Sequence, residues 1–288
     1  MRFALQWSLS PRGSDCAMPE TPIITITTDF GWQDSYVAEM KGAILGIHPE
    51  VQLVDVTHDV PPQDVARGSF LLERLAVSFP RGTVHLAVID PGVGSKRRIL
   101  VADIEGQLYV LPDNGLLTGV LERHTVARLI EVSNSNFFRR PVSNTFHGRD
   151  IMAPVAAYLS KGVCPHELGW PLADSPVMLT LPSVEETADG IAGCVVTSDR
   201  FGNLVTNIRA PQLPVANRAN FVVHVGGLEV IGVNAYYSQR SVGSLIALIG
   251  SHGRLEIGIA GGDARATHQI REGTPVRVDF PSTPSSPQ

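Results

Sequence analysis

The sequence predicts an α/β fold in two parts: an N-terminal α/β domain around a mostly parallel sheet, then a smaller C-terminal all-β domain of barrel or sandwich type. Three observations predict this. Over the first half, short runs of β-branched residues alternate with segments at helical spacing, the pattern of βαβ units. Around residues 169–189 the chain turns proline-rich and acidic and loses periodicity, as a linker does. Beyond it, short apolar runs separated by turn residues follow one another without helical spacing between them. The expected boundaries are an extension at 1–21, the α/β domain at 22–172, a linker at 173–189, the all-β domain at 190–281 and a tail at 282–288.

Taken in order, residues 23–28 (IITITT) form a β-branched strand that ends on a carboxylate, Asp29. Phe30-Gly31-Trp32-Gln33 makes a loop, and Asp34-Ser35 is placed to cap a helix carrying Val37, Met40, Ile44 and Ile47 on one face, stopped at His48-Pro49. A strand at 51–56 leads through Thr57-His58-Asp59-Val60-Pro61-Pro62 to a helix over 63–79. The strand at 84–89 ends on Asp90, followed by Pro91-Gly92-Val93-Gly94 and the basic cluster Lys96-Arg97-Arg98. Residues 99–104 and 107–111 read as a hairpin around Glu105-Gly106, and 116–123 as a short helix after Pro112-Asp113-Asn114-Gly115. Asn144-Thr145-Phe146-His147-Gly148-Arg149-Asp150 precedes a helix at 151–161. The all-β domain has strands at 191–198, 204–208, 221–225, 228–231, 245–249, 255–259 and 276–278.

Composition excludes several functions. With 43% apolar and 18% charged residues the chain is an ordinary globular one, and its net charge of −5 argues against nucleic acid or an anionic membrane as the main partner. No apolar run approaches the ~18 residues of a membrane helix. Cys16, Cys164 and Cys194 lie far apart without a CxxC spacing, which fits a reducing cytoplasm and offers neither a zinc site nor a disulfide framework. Residues 1–21 are too polar for a signal-peptide core, with Met18 a second candidate start, and the Ser/Pro-rich tail reads as disordered.

The chemistry concentrates in polar, glycine-containing loops: Asp29-Phe30-Gly31, the Asp90–Gly94 turn, Asp113-Asn114-Gly115, the His147 loop, and Ser198-Asp199-Arg200-Phe201-Gly202-Asn203. In an open α/β sheet, ligands sit beyond the carboxyl ends of the strands, where the first of these loops would lie. Carboxylates accept from ribose hydroxyls, amides read a base edge and rings stack on it, so the composition suits a nucleoside-like ligand. Each loop alone is also an ordinary turn former. His58-Asp59 and His147 with Asp150 offer metal ligands, yet there is no HExxH or HxH cluster and Arg149 opposes a cation, so no metal is expected. Gly92-Val93-Gly94 is not GxGxxG, and no GxSxG elbow is present.

The ordered set TTDFG, DVTHDVPPQD, VIDPGVG with Arg97, PDNGLL, NTFHGRD and SDRFGNLVTNI closely resembles the S-adenosyl-L-methionine hydrolases (hydroxide adenosyltransferases), relatives of the fluorinating and chlorinating S-adenosylmethionine enzymes, over about residues 22–280. The resemblance implies an N-terminal α/β domain and a C-terminal β-barrel. It also implies a homotrimer with active sites between the N domain of one subunit and the C domain of the next. The expected activity is hydrolysis of S-adenosyl-L-methionine to adenosine and L-methionine, with no cofactor. An Asp-Arg-His triad around the water falls on Asp90, Arg97 and His147, with Asp90 and His147 both open as proton acceptor. Ribose would meet Asp29, with Thr145 and Phe146 also in the substrate site. The methionine amino group would meet Asp199 and Ser251. Adenine would be read by Asn203 and stacked by Phe201, with Tyr236 at a second stacking position, and Gly261 also belongs to the substrate site. Two positions depart from the pattern: His252 stands where relatives carry an arginine for the methionine carboxylate, and Gln63 where they carry a tryptophan. The halogenating relatives differ at Asp90 and His147 and the fluorinating enzyme has serine at the place of Gly148, which favours the hydrolase over a halide-dependent transferase. A nucleoside-binding sensor with little turnover is the remaining alternative.

Overall fold

The computed structural model describes residues 21–76 and 78–281. The expected extension before residue 21, the tail at 282–288 and position 77, within the helix expected over 63–79, lie outside the described residues. The chain divides into two compact units between Leu179 and Thr180.

The N-terminal unit is a three-layer α/β structure. Its strands are β1 (Ile23–Thr28), β2 (Gln52–Thr57), β3 (Val84–Val88), β4 (Ile99–Ile104), β5 (Gln107–Pro112), β6 (Val126–Val132) and β7 (Gly169–Pro171), ordered β2-β1-β3-β5-β4-β6-β7 across one sheet. The β2-β1-β3-β5 block is parallel and β4 and β7 run against it. Every residue of β3 is buried, because helices cover both faces. Val84, Leu86 and Val88 face α1 (Tyr36–Leu45) and the later helix Ala153–Ser160, while Ala87 and Ile89 face α2 (Val65–Leu75) and α3 (Thr118–Leu121). Each large side chain buried this way contributes roughly 1.5–3 kcal/mol.

Several elements differ from expectation. The helix expected at 151–161 begins as a π turn, Gly148–Met152, and continues as α4, Ala153–Ser160. Asp64 caps α2 through the Arg67 amide, at 2.9 Å. Ser35 stands at the α1 N-cap position, but its backbone is already helical and its hydroxyl donates to Glu39 instead. Strands β6 and β7 were not anticipated. Alternating charge in VARLIEV blurs the β6 pattern, and β7 is three residues held by its neighbour. The hairpin of β4 and β5 turns on Glu105 and Gly106, both at positive φ.

The C-terminal unit is all-β but for one short helix. It comprises β8 (Glu185–Thr187), β9 (Gly190–Ser198), β10 (Leu204–Arg209), β11 (Val222–Val225), β12 (Leu228–Ile231), β13 (Val233–Asn234), β14 (Leu245–Ile249), β15 (Arg254–Ile259), α5 (Ala264–His268) and β16 (Pro275–Asp279). The order β12-β11-β16-β9-β10-β15-β14-β13 brings both ends of the sheet back together, a nearly closed barrel around Val195, Leu204, Phe221, Val223 and Ile257. Strand β8, which pairs with β9, arises inside the stretch expected to lack structure.

Candidate active site

Strand register sets the first half of the site. Thr28 stands opposite Val88 in the parallel β1–β3 pair, so Asp29 and Asp90 leave adjacent strand ends at the same edge. Both carboxylate oxygens of Asp90 accept from Arg97 Nε, at 3.0 and 2.9 Å, and Arg97 Nη2 donates on to His147 Nδ1 at 2.9 Å. The Asp90 and Arg97 side chains are 4% and 10% exposed. A guanidinium only donates, so Nδ1 of His147 is the acceptor and the neutral ring carries its proton on Nε2. Burial and the Arg97 charge hold His147 below the usual imidazole range, against the opposing pull of Asp90 and Asp150.

The loops are locked together by close backbone approach. Gly94 has φ +78, and a Cβ there would lie 2.3 Å from the carbonyl oxygen of Asn144, in the loop that carries His147. Only glycine fits, and its absence of a side chain lets the Asp90 and His147 loops touch. Asp150, fully buried, accepts from the Ser143 amide at 2.8 Å and from Arg149 Nε at 2.7 Å, which closes the 143–150 loop on itself. Burial alone would raise the Asp150 carboxyl, but these donors outweigh it and hold it low. Gly148 packs against Val88 and Met40; a Cβ there would sit 3.1 Å from Val88 Cγ1.

The remaining residues of this unit are placed as follows. Asp29 Oδ2 accepts from the Gln63 amide at 2.8 Å. Thr145 is exposed, its hydroxyl 3.3 Å from that of Ser143. Phe146 is buried, edge-on to Phe30 and Tyr36 with Arg149 over its ring, so it builds the wall beneath the loop. Asn114 Nδ2 donates to the Ile89 carbonyl at 2.9 Å, directly before Asp90, while Asp113 is spent on Arg98 at 2.6 Å and the Val177 amide at 2.8 Å. The PDNG loop therefore supports Asp90 from behind. His58 pairs with Asp55 and Thr28, not with its neighbour Asp59. Among the described residues, no group of three or more His, Cys, Asp or Glu side chains is placed to share a metal ion.

In the C-terminal unit, Asp199 organises the 198–203 loop. Its Oδ1 accepts from the Phe201 and Asn203 amides, both at 2.9 Å, and its Oδ2 from Asn203 Nδ2 at 2.8 Å. Asn203 is consequently 6% exposed, with its Oδ1 over Gly258, where a side chain would collide with it. Tyr237 continues this cluster to Glu256 at 3.3 Å, and the Glu256 carboxylate lies against Gly250, next to Ser251. Burial and the nearby Glu256 and Asp199 push the Tyr237 hydroxyl up to about 12. Ser251 Oγ lies 3.0 Å from His252 Nδ1. Phe201 and Tyr236 project outward, 76% and 58% exposed. Gly261 has φ +70 and faces Val242.

Sequence reasoning did not single out Gln63, Asp55, Tyr237 or Glu256 for these contacts. The one available signal was position: Tyr237 adjoins Tyr236, and Gln63 lies within the DVTHDVPPQD run.

Residues 24–169 match the model of the SAM hydroxide adenosyltransferase N-terminal domain, and residues 193–277 that of the C-terminal domain. An (R)-S-adenosyl-L-methionine hydrolase of Salinispora tropica is 36% identical over 91% of this chain and 99% of its own length. A fluorinase of an Actinoplanes species is 33% identical over 68% of this chain and 74% of its own. The crystal structure of an uncharacterized conserved protein from Thermotoga maritima superposes with a TM-score of 0.84 at 35% identity, covering 89% of this chain and all of that one. With both halves of its length matched, the chain belongs to the SAM hydroxide adenosyltransferase family.

Proposed function

We propose that this protein hydrolyses S-adenosyl-L-methionine to adenosine and L-methionine by in-line attack of water on ribose C5′. The observation that carries the reading is the Arg97 bridge: one largely buried guanidinium holds Asp90 by three bonds and His147 by a fourth. The hydrolase relatives agree with it in activity.

The substrate brings its own leaving group, a sulfonium that departs as a neutral thioether. The C5′–S bond breaks with its electron pair going to sulfur, the water oxygen bonds to C5′, and one water proton must be taken up. The site need not protonate anything, and the step as written needs no cofactor. As the O–C5′ bond forms, the water turns strongly acidic, so a carboxylate that is only weakly basic suffices as acceptor. Arg97 keeps its proton at neutral pH and cannot be that acceptor. His147 has its Nδ1 lone pair engaged by Arg97 and a proton already on Nε2. Asp90 therefore takes the proton, while Arg97 aims it and His147 donates from Nε2 to the water or its developing hydroxyl. Holding water and C5′ in line supplies several of the kcal/mol that the barrier must lose.

Binding follows the same division. Asp29 accepts from the ribose hydroxyls, with Thr145 and the Phe146 wall alongside. Phe201 and Tyr236 stack on adenine, Asn203 and Gly261 border its edge, and Asp199, Ser251 and His252 face the methionine end. The working assembly is a homotrimer acting in the cytoplasm, with the N-terminal unit of one subunit completing its site with the C-terminal unit of the next. Co-expressing Asp90→Asn with Asn203→Ala chains tests this. Random mixing leaves about a quarter of the sites with two intact halves, so activity returns to about that fraction. Sites built within one subunit would recover nothing.

The reaction itself is tested by chromatography after incubation with S-adenosyl-L-methionine, with and without chloride. Adenosine and methionine in equal amounts, independent of chloride, are expected. A 5′-chloro-nucleoside would assign the halide-dependent transferase, and intact bound substrate the sensor.

A further inference from the structure

His58 is fully buried, and both its ring nitrogens and its carbonyl are committed to the Asp29 loop or to an anchor for it. Its Nδ1 lies 2.8 Å from Thr28 Oγ1, the residue before Asp29. Its carbonyl accepts from the Gly31 amide at 2.8 Å, two residues after Asp29. The Phe30 amide donates to the same Thr28 hydroxyl at 3.3 Å, so residues 28, 30 and 31 are all tied on the two sides of the carboxylate. On the far edge of the ring, Nε2 donates to Asp55 at 3.0 Å, and Lys41 holds Asp55 at 2.6 Å. Trp32 closes the cluster, its ring edge-on at 4.5 Å.

These contacts assign the protons. Asp55 is ionised beside Lys41, so Nε2 carries the hydrogen; Thr28 already accepts from Phe30, so its hydroxyl donates to Nδ1. The result is one directional chain, Lys41 and His58 into Asp55 and Thr28 into His58. The imidazole acts beyond the last pair of the β1–β2 ladder, Thr27 with Thr57, and so ties down the strand end that carries Asp29.

We propose that His58 is a positioning residue that aims the Asp29 carboxylate at the vicinal ribose hydroxyls of the substrate. The proposal rests on the ribose-binding reading of Asp29 given above. Gln63, on the same loop as His58, completes the cradle by donating its amide to Asp29 Oδ2 from a left-handed backbone conformation, φ +67.

The test is calorimetric binding of adenosine and of 2′,3′-dideoxyadenosine to the intact protein, its Asp29→Ala, His58→Ala, His58→Asn and Thr28→Val variants, with a melting curve for each. The native protein should prefer adenosine, and Asp29→Ala should abolish that preference. His58→Ala should cut it about tenfold, within the ~100-fold that small misplacements cost. His58→Asn places an amide near the former Nδ1 and should restore most of the preference even though Asp55 keeps only its Lys41 partner and the melting point stays lowered. Thr28→Val keeps shape and loses only the hydroxyl; it should also reduce the preference, and it carries the test if His58→Ala does not fold. If the native protein shows no preference, or Asp29→Ala retains it, the ribose reading of Asp29 is wrong. If Asp29→Ala loses the preference while His58→Ala or Thr28→Val keeps it, His58 is structural and the proposal is overturned.

Discussion

The two units hold their site residues in opposite ways. In the N-terminal unit the charged groups are buried and mutually bonded: Arg97 between Asp90 and His147, Asp150 between Arg149 and the Ser143 amide. In the C-terminal unit the polar residues Asp199 and Asn203 satisfy each other inside a turn, and the rings of Phe201 and Tyr236 stand in solvent. The difference fits the roles proposed above for each half. Groups that handle a proton lose rate steeply when displaced, so they are fixed before substrate arrives. A stacking surface, the role proposed for these two rings, draws its energy from being covered, which suits rings that stand exposed.

Breaking the fixed half should cost the most. Asp90→Asn keeps the shape and removes the proton acceptor; kcat should fall ~1,000-fold or more while the calorimetric affinity for adenosine stays within a few-fold. An equal loss in both would mean that Asp90 binds rather than reacts. The pH profile sharpens the same point. With its imidazole held low, His147 stays neutral through its ordinary pKa near 6.5, so kcat/KM should decline only at lower pH, where protonation breaks the Arg97 bond.

The core histidine of the N-terminal unit gives the next effect, on stability. His85 is buried with Thr25, Gln107 and Tyr109, and burial pushes its imidazole down to about 4. The unfolded chain takes up this proton near pH 6.5 and the native one near 4. Over that window the unfolded state binds more protons, so stability is lost as pH falls, by about 3 kcal/mol for a shift of this size. Melting curves from pH 7 to 4 should show the slope, and His85→Gln should flatten it.

Gly94→Ala meets both a positive φ and the Asn144 carbonyl. By forcing the Asp90 and His147 loops apart it should reduce kcat about 100-fold, with a smaller loss of melting temperature. Phe201→Ala acts on the open half. Losing one stacked ring should weaken adenosine binding about tenfold and leave kcat at saturating substrate nearly unchanged. A matching fall in kcat would show that the C-terminal unit does more than recognise.

What was legible in the chain divides along similar lines. Strand β1 and the β4–β5 hairpin followed from β-branched runs and one Glu-Gly turn, because local pattern and tertiary placement agree there. The Asp90–Arg97 pairing was legible too, since Pro-Gly-Val-Gly forces the chain back on itself. Strands β6 and β7 were not, because β6 alternates imperfectly and β7 exists only through its neighbour. The role of Asn114 behind Asp90 was hidden because it depends on which carbonyl the turn reaches. His58 stood out only beside Asp59, as a candidate ligand pair, whereas the fold gave it Asp55 and Thr28 as partners. Long-range partners of this kind carry no local signal.

The most direct test of Asp90 as acceptor is the stereochemical course at C5′. S-adenosyl-L-methionine made chiral with deuterium at C5′ is turned over in water enriched in heavy oxygen, and the adenosine is analysed for configuration and label. Direct attack by water held at Asp90, Arg97 and His147 predicts inversion, with heavy oxygen in the 5′-hydroxyl. Retention would require two displacements through an adenosyl ester, most simply on Asp90 itself, and would contradict its assignment as the group that takes the proton.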